Sequence, residues 1–512
     1  MAMTSPEPGV RVEPFDQFNR ELVANVRPED WVNPEARGRY HMVVIGGGTG
    51  GLVTAAIAAG LGAPVALLER HLMGGDCLNV GCVPSKGMIA AARSWQAATE
   101  SGSRFGGPAV VGGGHFGAAM ERMRRLRAGL SRMDSAARFR DLGVDVFLGE
   151  GRFTARDTVT VDGQALRFRR AVIATGARAA VPSIPGLGGA GHLTNETIFT
   201  LTELPRRLLV LGAGPVGCEM AQAFARFGSE VTLLDRGDRI LPRDDADAAA
   251  VVERAMTSQG VHVRHRSRVV RAERRGEVRV LVVERDGGVE TFEGDQLLVA
   301  VGRAPNLEGL DLEAAGVAFD PRGVTVTDRL RTTNPRIFAV GDVASRFRFT
   351  HSADAEARLV VANALFFGIG GGKASRLVIP WVTYTSPEVA HVGWSERDAT
   401  AAGVEVDTIT VPLREVDRAV LDGEDEGFLR VHVQRGRDRI VGATLVAEHA
   451  GDMIGEIALA MTAGLGLGKI GATVHPYPTR SEIFRKAADA WRRTRLTPRA
   501  QSAFQAFFRL IG

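Results

Sequence analysis

Two cysteines with four residues between them lie in the run Gly74-Gly75-Asp76-Cys77-Leu78-Asn79-Val80-Gly81-Cys82-Val83-Pro84-Ser85-Lys86. The third cysteine of the chain, Cys218, is far away in sequence. Gly74, Gly75 and Gly81 let the backbone turn sharply around the pair. Pro84 suits the first turn of a helix, and Ser85–Ala98 is rich in Ala. Cys82 is therefore expected near a helix N-terminus, where the dipole favours thiolate over thiol. That disposition suits redox chemistry. A structural zinc site would need four ligands, and no second Cys or His pair is present. Two unrelated core cysteines are the bland alternative, because free Cys is commonly a small buried residue. Cys218, beside Glu219, is read as such a core residue. The chain has only four lysines (Lys86, Lys373, Lys469 and Lys486), so a lysine inside the cysteine segment stands out.

Two repeated units must position this segment. His41–Ile45 reads as a buried strand that runs into Gly46-x-Gly48-x-x-Gly51, then an Ala-rich helix from Leu52 to Leu61, then a strand from Pro64 to Leu68 ending at Glu69. This is the dinucleotide fingerprint in its required context of strand, turn and helix. Its first glycine makes the tight turn, its second admits a pyrophosphate, and its third lets helix and strand pack closely. The acid at the end accepts hydrogen bonds from a ribose. Leu208–Leu211, Gly212-x-Gly214-x-x-Gly217, the helix Cys218–Phe227 and the strand Glu230–Leu234, ending at Asp235, repeat the unit. First glycine and acid are 23 residues apart both times, 46 to 69 and 212 to 235. A simple dehydrogenase needs one such fold, and this chain carries two.

A chain of 512 residues predicts about three domains. With 45% hydrophobic and 24% charged residues it reads as a soluble globular protein. A net charge of +4 is too small and dispersed for nucleic-acid binding, and the Arg-rich runs Arg264–Arg275 and Arg492–Arg499 read as solvated faces. No membrane partner and no metal-binding cluster are expected. Residues 1–40 are polar and Pro-rich without an apolar signal core, and three cysteines fit a reducing compartment, so a cytoplasmic protein is expected. Phe15–Val26 predicts a short amphipathic helix, and 28–40 an extended lead-in.

The cysteine segment resembles the active-site disulfide of the class I pyridine nucleotide–disulfide oxidoreductases, flavoproteins that include glutathione reductase, dihydrolipoamide dehydrogenase and mercuric reductase. The family form has Thr where this chain has Asp76. The resemblance covers residues 41–495 and implies an α/β fold: two Rossmann-like dinucleotide-binding domains and a C-terminal α+β interface domain. The implied boundaries are 1–40 for an N-terminal extension, 41–190 for the first FAD part, 191–305 for the NAD(P) domain, 306–372 for the second FAD part and 373–512 for the interface domain. FAD belongs on the first unit (Gly46, Gly48, Gly51, Glu69), which the cysteines directly follow. NADH or NADPH belongs on the second (Gly212, Gly214, Gly217, Asp235). Asp235 favours NADH, since a carboxylate repels a 2′-phosphate, although Arg236 or Arg239 could reach one. The strands that end at Gly176 and Gly302 match family motifs beside these domains. Asp342 matches the aspartate of the second FAD motif, and Gly151 and Thr350 fall at backbone contacts to FAD. The resemblance further implies a Cys77–Cys82 disulfide with Cys82 facing the flavin and Cys77 facing substrate. It implies a buried Lys86–Glu219 ion pair beside the flavin, and a homodimer whose active site the other subunit completes.

The segment His475-Pro476-Tyr477-Pro478-Thr479-Arg480-Ser481-Glu482 bears on the acceptor. Glutathione reductase and dihydrolipoamide dehydrogenase carry His-Pro-Thr-x-x-Glu here, with His as acid–base. Alignment on Thr479 and Glu482 puts Tyr477 at that histidine and His475 two residues earlier, as in the Pro-Tyr form of mercuric reductase. An insertion that keeps His475 as the base is the alternative. Mercuric reductase ends in a Cys-Cys pair, whereas this chain ends Phe508-Arg509-Leu510-Ile511-Gly512. The reading is thus an NAD(P)H oxidoreductase that passes electrons through FAD and the dithiol to Hg(II) or a similar soft acceptor bound at Cys77 and Cys82. The alternatives are a disulfide reductase and, in a different class, a redox-sensing flavoprotein without turnover.

Overall fold

A computed structural model of the chain describes residues 12–108, 110, 113–366 and 368–512. The first eleven residues of the N-terminal extension therefore lie outside the described residues. Two compact units form, one of residues up to Arg236 with Arg266–Leu377, the other of Gly237–His265 with Val378–Gly512.

In the first unit, Val144–Leu148, Val65–Glu69, Tyr40–Ile45, the end of Gln164–Ile173 and Ile337–Ala339 form a parallel sheet in that order. Val65–Glu69 is buried along its whole length, which is why its sequence is a continuous apolar run rather than an alternating one. The start of Gln164–Ile173 turns antiparallel and pairs with Thr158–Val161. Arg207–Leu211 lies between Glu230–Leu234 and Gln296–Val299, all parallel. The expected helices after the glycine turns span Thr49–Gly60 and Pro215–Phe227. Sequence reading treated the Gly176 and Gly302 motifs separately, but they pair with each other. Arg303–Pro305 runs antiparallel to Ala177–Ala179, and Thr175 Oγ1 donates to the Asn306 carbonyl at 2.8 Å while Asn306 Nδ2 donates back to the Thr175 carbonyl at 2.9 Å.

The N-terminal helix runs Gln17–Val26, capped by Asp16, whose side chain accepts from the amides of Phe18 and Asn19. It buries Leu22 and Val26 in the same core as the strands Tyr40–Ile45 and Val65–Glu69. This helix also reaches the cysteine loop. Buried Arg127 donates to Asn19 Oδ1 and to the Asn79 carbonyl, each at 2.6 Å.

In the second unit, Pro380–Thr383, Glu388–Gly393, Ile440–Ala447, Phe428–Gln434 and Val406–Pro412 form an antiparallel sheet in that order. Glu388–Gly393 was not foreseen. It is almost wholly buried and offers no alternation to read. After the sheet's last strand in sequence come two short helices, Ala450–Met453 and Gly455–Thr462. Glu482–Thr494 packs Ile483, Phe484, Ala487, Ala488 and Trp491 into the core of this unit.

Candidate active site

Cys82 is the first residue of the helix Cys82–Phe105, and Gly81, at its N-cap, supplies no side-chain cap. The amides of Cys82 and Val83 have no partner within the helix, and Pro84 carries no N–H. Cys77 sits in a short helical turn, Gly75–Asn79. Gly81 is required there, since a Cβ would lie 2.7 Å from the Asp76 carbonyl oxygen. All three cysteines are free thiols in this structure. Cys218 is buried, its Sγ 3.4 Å from the Ala213 carbonyl, as expected of a core residue.

The two thiols are electrostatically unequal. Cys82 is lowered to about 6, first by the hydrogen bond from Cys77, then by one from Thr350, with Lys86 adding its positive charge against the cost of burial. Thr350 Oγ1 lies 3.3 Å from Cys82 Sγ, a side-chain contact where the sequence suggested only a backbone one. Cys77 moves strongly the other way, because it donates to Cys82 and is itself partly buried. One proton thus stays on Cys77 and the anion sits on Cys82. Lys86 Nζ donates to Glu219 Oε2 at 2.8 Å. Glu219 is buried, and the Lys86 side chain is 36% exposed.

Both glycine turns are shaped for a diphosphate. Gly46 and Gly212 have φ of +108° and +107°, and a Cβ on either would strike the carbonyl of Ala174 or Ala300. A Cβ on Gly51 or Gly217 would sit 1.8 Å from the carbonyl oxygen of Gly46 or Gly212. Gly48 and Gly214 stand at the helix N-caps with no side-chain cap, which leaves amide donors for an anion. Glu69 Oε2 accepts from the Gly47 amide at 2.6 Å, and Asp235 Oδ2 from the Ala213 amide at 2.7 Å. Each acid is thereby fixed at its strand end with lone pairs left for a ribose. Glu69 lines a crevice with Gly46, Gly151, Thr175, Asn306 and Gly309. These features fit FAD on the first turn and a second dinucleotide on the other. Gly51→Ala is expected to yield protein that no longer retains FAD, seen as loss of the flavin absorbance. Gly217→Ala is expected to keep FAD but lose its reduction by NAD(P)H in a stopped-flow trace.

Asp342 sits in the turn Gly341–Val343 after its strand. Burial raises its carboxyl above the usual range. Arg303 holds it, Nε to Asp342 Oδ2 at 3.2 Å, and the same guanidinium meets Asp76 Oδ2 at 2.6 Å and the Ala177 carbonyl at 2.7 Å. Sequence reading missed Arg303, although it directly follows Gly302. Its two acids are remote in sequence, so only the unusual Asp76 hinted at a partner. Gly176 and Gly302 adopt φ of +67° and +144°, with open space around them. Their requirement is conformational.

In the second unit, His475 Nε2 lies 3.0 Å from Glu456 Oε1 and its Nδ1 3.1 Å from the Thr473 carbonyl. Tyr477 is 70% exposed, its hydroxyl donating to Asp417 Oδ2 at 2.9 Å. Glu482 is buried and pairs with Arg485 at 2.6 Å.

Residues 40–357 match the family described as pyridine nucleotide-disulphide oxidoreductase, and residues 379–488 match its dimerisation domain. A mercuric reductase of Bacillus cereus is 34% identical over 473 residues, 92% of this chain and 74% of that protein. A dihydrolipoyl dehydrogenase of Bacillus subtilis is 30% identical over 470 residues, 88% of this chain and 97% of that one. The HOCl-induced flavoprotein disulfide reductase RclA of Escherichia coli, solved also as a Cu(II) complex, superposes with a TM-score of 0.78 at 28% identity, covering 88% of this chain and 99% of that one. No helix among the described residues is long and apolar enough to cross a membrane. A dithiol at a helix N-terminus, two dinucleotide turns and a dimerisation domain on one chain agree with these likenesses: the protein belongs to the class I pyridine nucleotide-disulfide oxidoreductases, a family of enzymes that use FAD and NAD(P)H.

Proposed function

We propose that this enzyme passes electrons from NAD(P)H to a soft metal ion of the Hg(II) type held by Cys77 and Cys82. The observation that carries the reading is the pair of free thiols Cys77 and Cys82, with Cys82 at a helix start, Thr350 Oγ1 3.3 Å from its sulfur and the Lys86–Glu219 pair beside it, an arrangement that favours the anion on Cys82. Soft thiolates are the ligands such ions select. FAD, when bound, supplies the two-electron passage between NAD(P)H and the sulfurs. Cys82 keeps the anion next to that cofactor, and Cys77, once it loses its proton, is the sulfur that meets substrate. Lys86 holds positive charge beside Cys82, and Glu219 fixes the ammonium in place. Asp342 and Thr350 serve FAD, as do Gly46, Gly48, Gly51, Glu69, Gly151 and Gly176.

The His475 contacts support the metal branch over the disulfide branch. The His475 side chain is 6% exposed with both ring nitrogens engaged within its own unit, whereas Tyr477 is 70% exposed, with its hydroxyl on Asp417. Tyr477 and Glu482 therefore stand for the substrate mouth of the neighbouring subunit in a homodimer. The decisive experiment oxidises NADH with a panel of Hg(II) plus excess thiol, oxidised glutathione, lipoamide and a quinone. Hg(II)-dependent turnover supports the reading. Turnover with a disulfide and none with Hg(II) rejects it and restores His475 as the base.

NADH is the preferred coenzyme in this reading, because Asp235 stands where a 2′-phosphate would lie. The expected kcat/KM for NADH exceeds that for NADPH by at least ~10-fold, equivalent to about 1.4 kcal/mol. A preference for NADPH would assign the ribose site to Arg236 or Arg239 instead.

A further inference from the structure

The last helix, Pro498–Ile511, has no part in the site above and lies beyond residue 488, where the dimerisation-domain match ends. None of its residues is buried. Phe504, Phe507, Phe508 and Ile511 recur at the i, i+3, i+4, i+7 spacing of one helix face, while Arg499, Ser502, Gln505 and Arg509 lie on the other. The four apolar side chains are 54–62% exposed. Single exposed apolar residues are ordinary, but a continuous aromatic face in water marks a surface that something covers.

Charge identifies what covers it. From Ala490 to Gly512 the chain has five arginines (Arg492, Arg493, Arg495, Arg499 and Arg509) and no Asp or Glu. The other Arg-rich stretch is neutralised in place, with Arg268 on Glu284, Arg274 on Glu277 and Arg275 on Glu273. Among the described residues, no ion pair engages Arg493, Arg499 or Arg509. The occupant must be apolar opposite the phenylalanines and anionic around them. A second copy of the same segment would set arginines against arginines. An anionic lipid surface offers acyl chains at one depth and phosphates at the next.

We propose that Pro498–Ile511 is an interfacial anchor that lies flat on an anionic bilayer, aromatic face inward and arginines at the headgroups. Its 14 residues span about 21 Å, too short to cross the membrane but suited to lying in its plane. This proposal departs from the sequence-based expectation of no membrane partner.

The test sediments the full-length holoprotein with vesicles of phosphatidylcholine alone and of phosphatidylcholine mixed with phosphatidylglycerol. Binding is expected only to the mixed vesicles and should weaken as salt rises. Phe507→Ser/Phe508→Ser should lower partitioning by at least ~10-fold through lost apolar burial. Arg493→Gln/Arg499→Gln should lower it by ~25-fold, about fivefold per charge. Both variants should oxidise NADH in solution as wild type does. No binding to the mixed vesicles overturns the proposal, as does equal binding to neutral ones. A wild-type assembly in solution that Phe507→Ser/Phe508→Ser reduces in size also overturns it and assigns the face to a second copy.

Discussion

Cys82→Ser is expected to abolish acceptor reduction, by at least ~10³-fold in kcat, while the flavin is still reduced by NADH and still passes electrons to an artificial dye. Covalent and ligand chemistry at sulfur needs the thiolate, and a serine hydroxyl is not ionised at neutral pH. The same site predicts a titration. Cys82 lies at about 6, below an ordinary thiol, so its thiolate is lost only as pH falls through that value. At pH 7 about 90% is thiolate, against about 3% for an ordinary thiol. In the reduced enzyme, alkylation of Cys82 should therefore be fast and flat above neutrality and decline below about 6. Lys86→Gln should move the inflection upward, because the Lys86 charge is one of the causes of the lowering. Wild-type alkylation that rises only above pH 8 would contradict the unequal dithiol. A Cys82→Ser enzyme with full acceptor turnover would remove the dithiol from the reaction.

Much of this site could be read from local sequence because its requirements are local. Gly51 and Gly217 are dictated by a backbone clash within one turn and Gly46 and Gly212 by their positive φ, so spacing reveals all four, although the carbonyls that Gly46 and Gly212 approach, those of Ala174 and Ala300, are remote in sequence. Cys82 at a helix start follows from Gly81 and Pro84. Lys86 and Glu219 were paired through family resemblance, and they meet at 2.8 Å, but the exposure of the lysine depends on what packs around it. Arg127, Arg303 and Glu388–Gly393 were not legible. Arg127 works by bridging the N-terminal helix to Asn79, a relation no window of sequence contains. Glu388–Gly393 shows no alternation, since both its neighbours in the sheet and the packing above it bury it, although Ser386-Pro387 before it and Gly393 at its end are turn signals. Tyr477 and His475 are intermediate cases. Alignment ordered them, and only the contact of His475 with Glu456 separates their roles.

Arg303→Met is expected to have the second large effect, on flavin retention and stability together. The guanidinium uses a different nitrogen for each acid, Nε for Asp342 and an outer amino group for Asp76, and the latter also reaches the Ala177 carbonyl. Its side chain is 23% exposed and those of Asp76 and Asp342 are 33% and 19%, so the cluster is largely withdrawn from water. Removing the cation leaves two carboxylates facing a methionine, at a cost of about 3–5 kcal/mol. Unfolding in denaturant should show that loss, and FAD should dissociate far more readily because Asp342 is no longer held. Asp76→Thr should cost less, about 1 kcal/mol, since Arg303 keeps Asp342 and Ala177 while the hydroxyl still accepts a hydrogen bond. Arg303→Lys should not rescue either property, because a single ammonium has no planar fork with which to meet both acids and the carbonyl. Full recovery in the lysine variant would show that charge alone matters and that the fork does not. Equal losses in Arg303→Met and Asp76→Thr would instead place the whole effect on the Asp76 contact. The expected ranking, with the arginine variants worst and the threonine variant mild, would make Arg303 the residue that ties the cysteine loop to Asp342. The aspartate at position 76 would then work as a partner for that arginine, where the family's threonine offers only a hydroxyl.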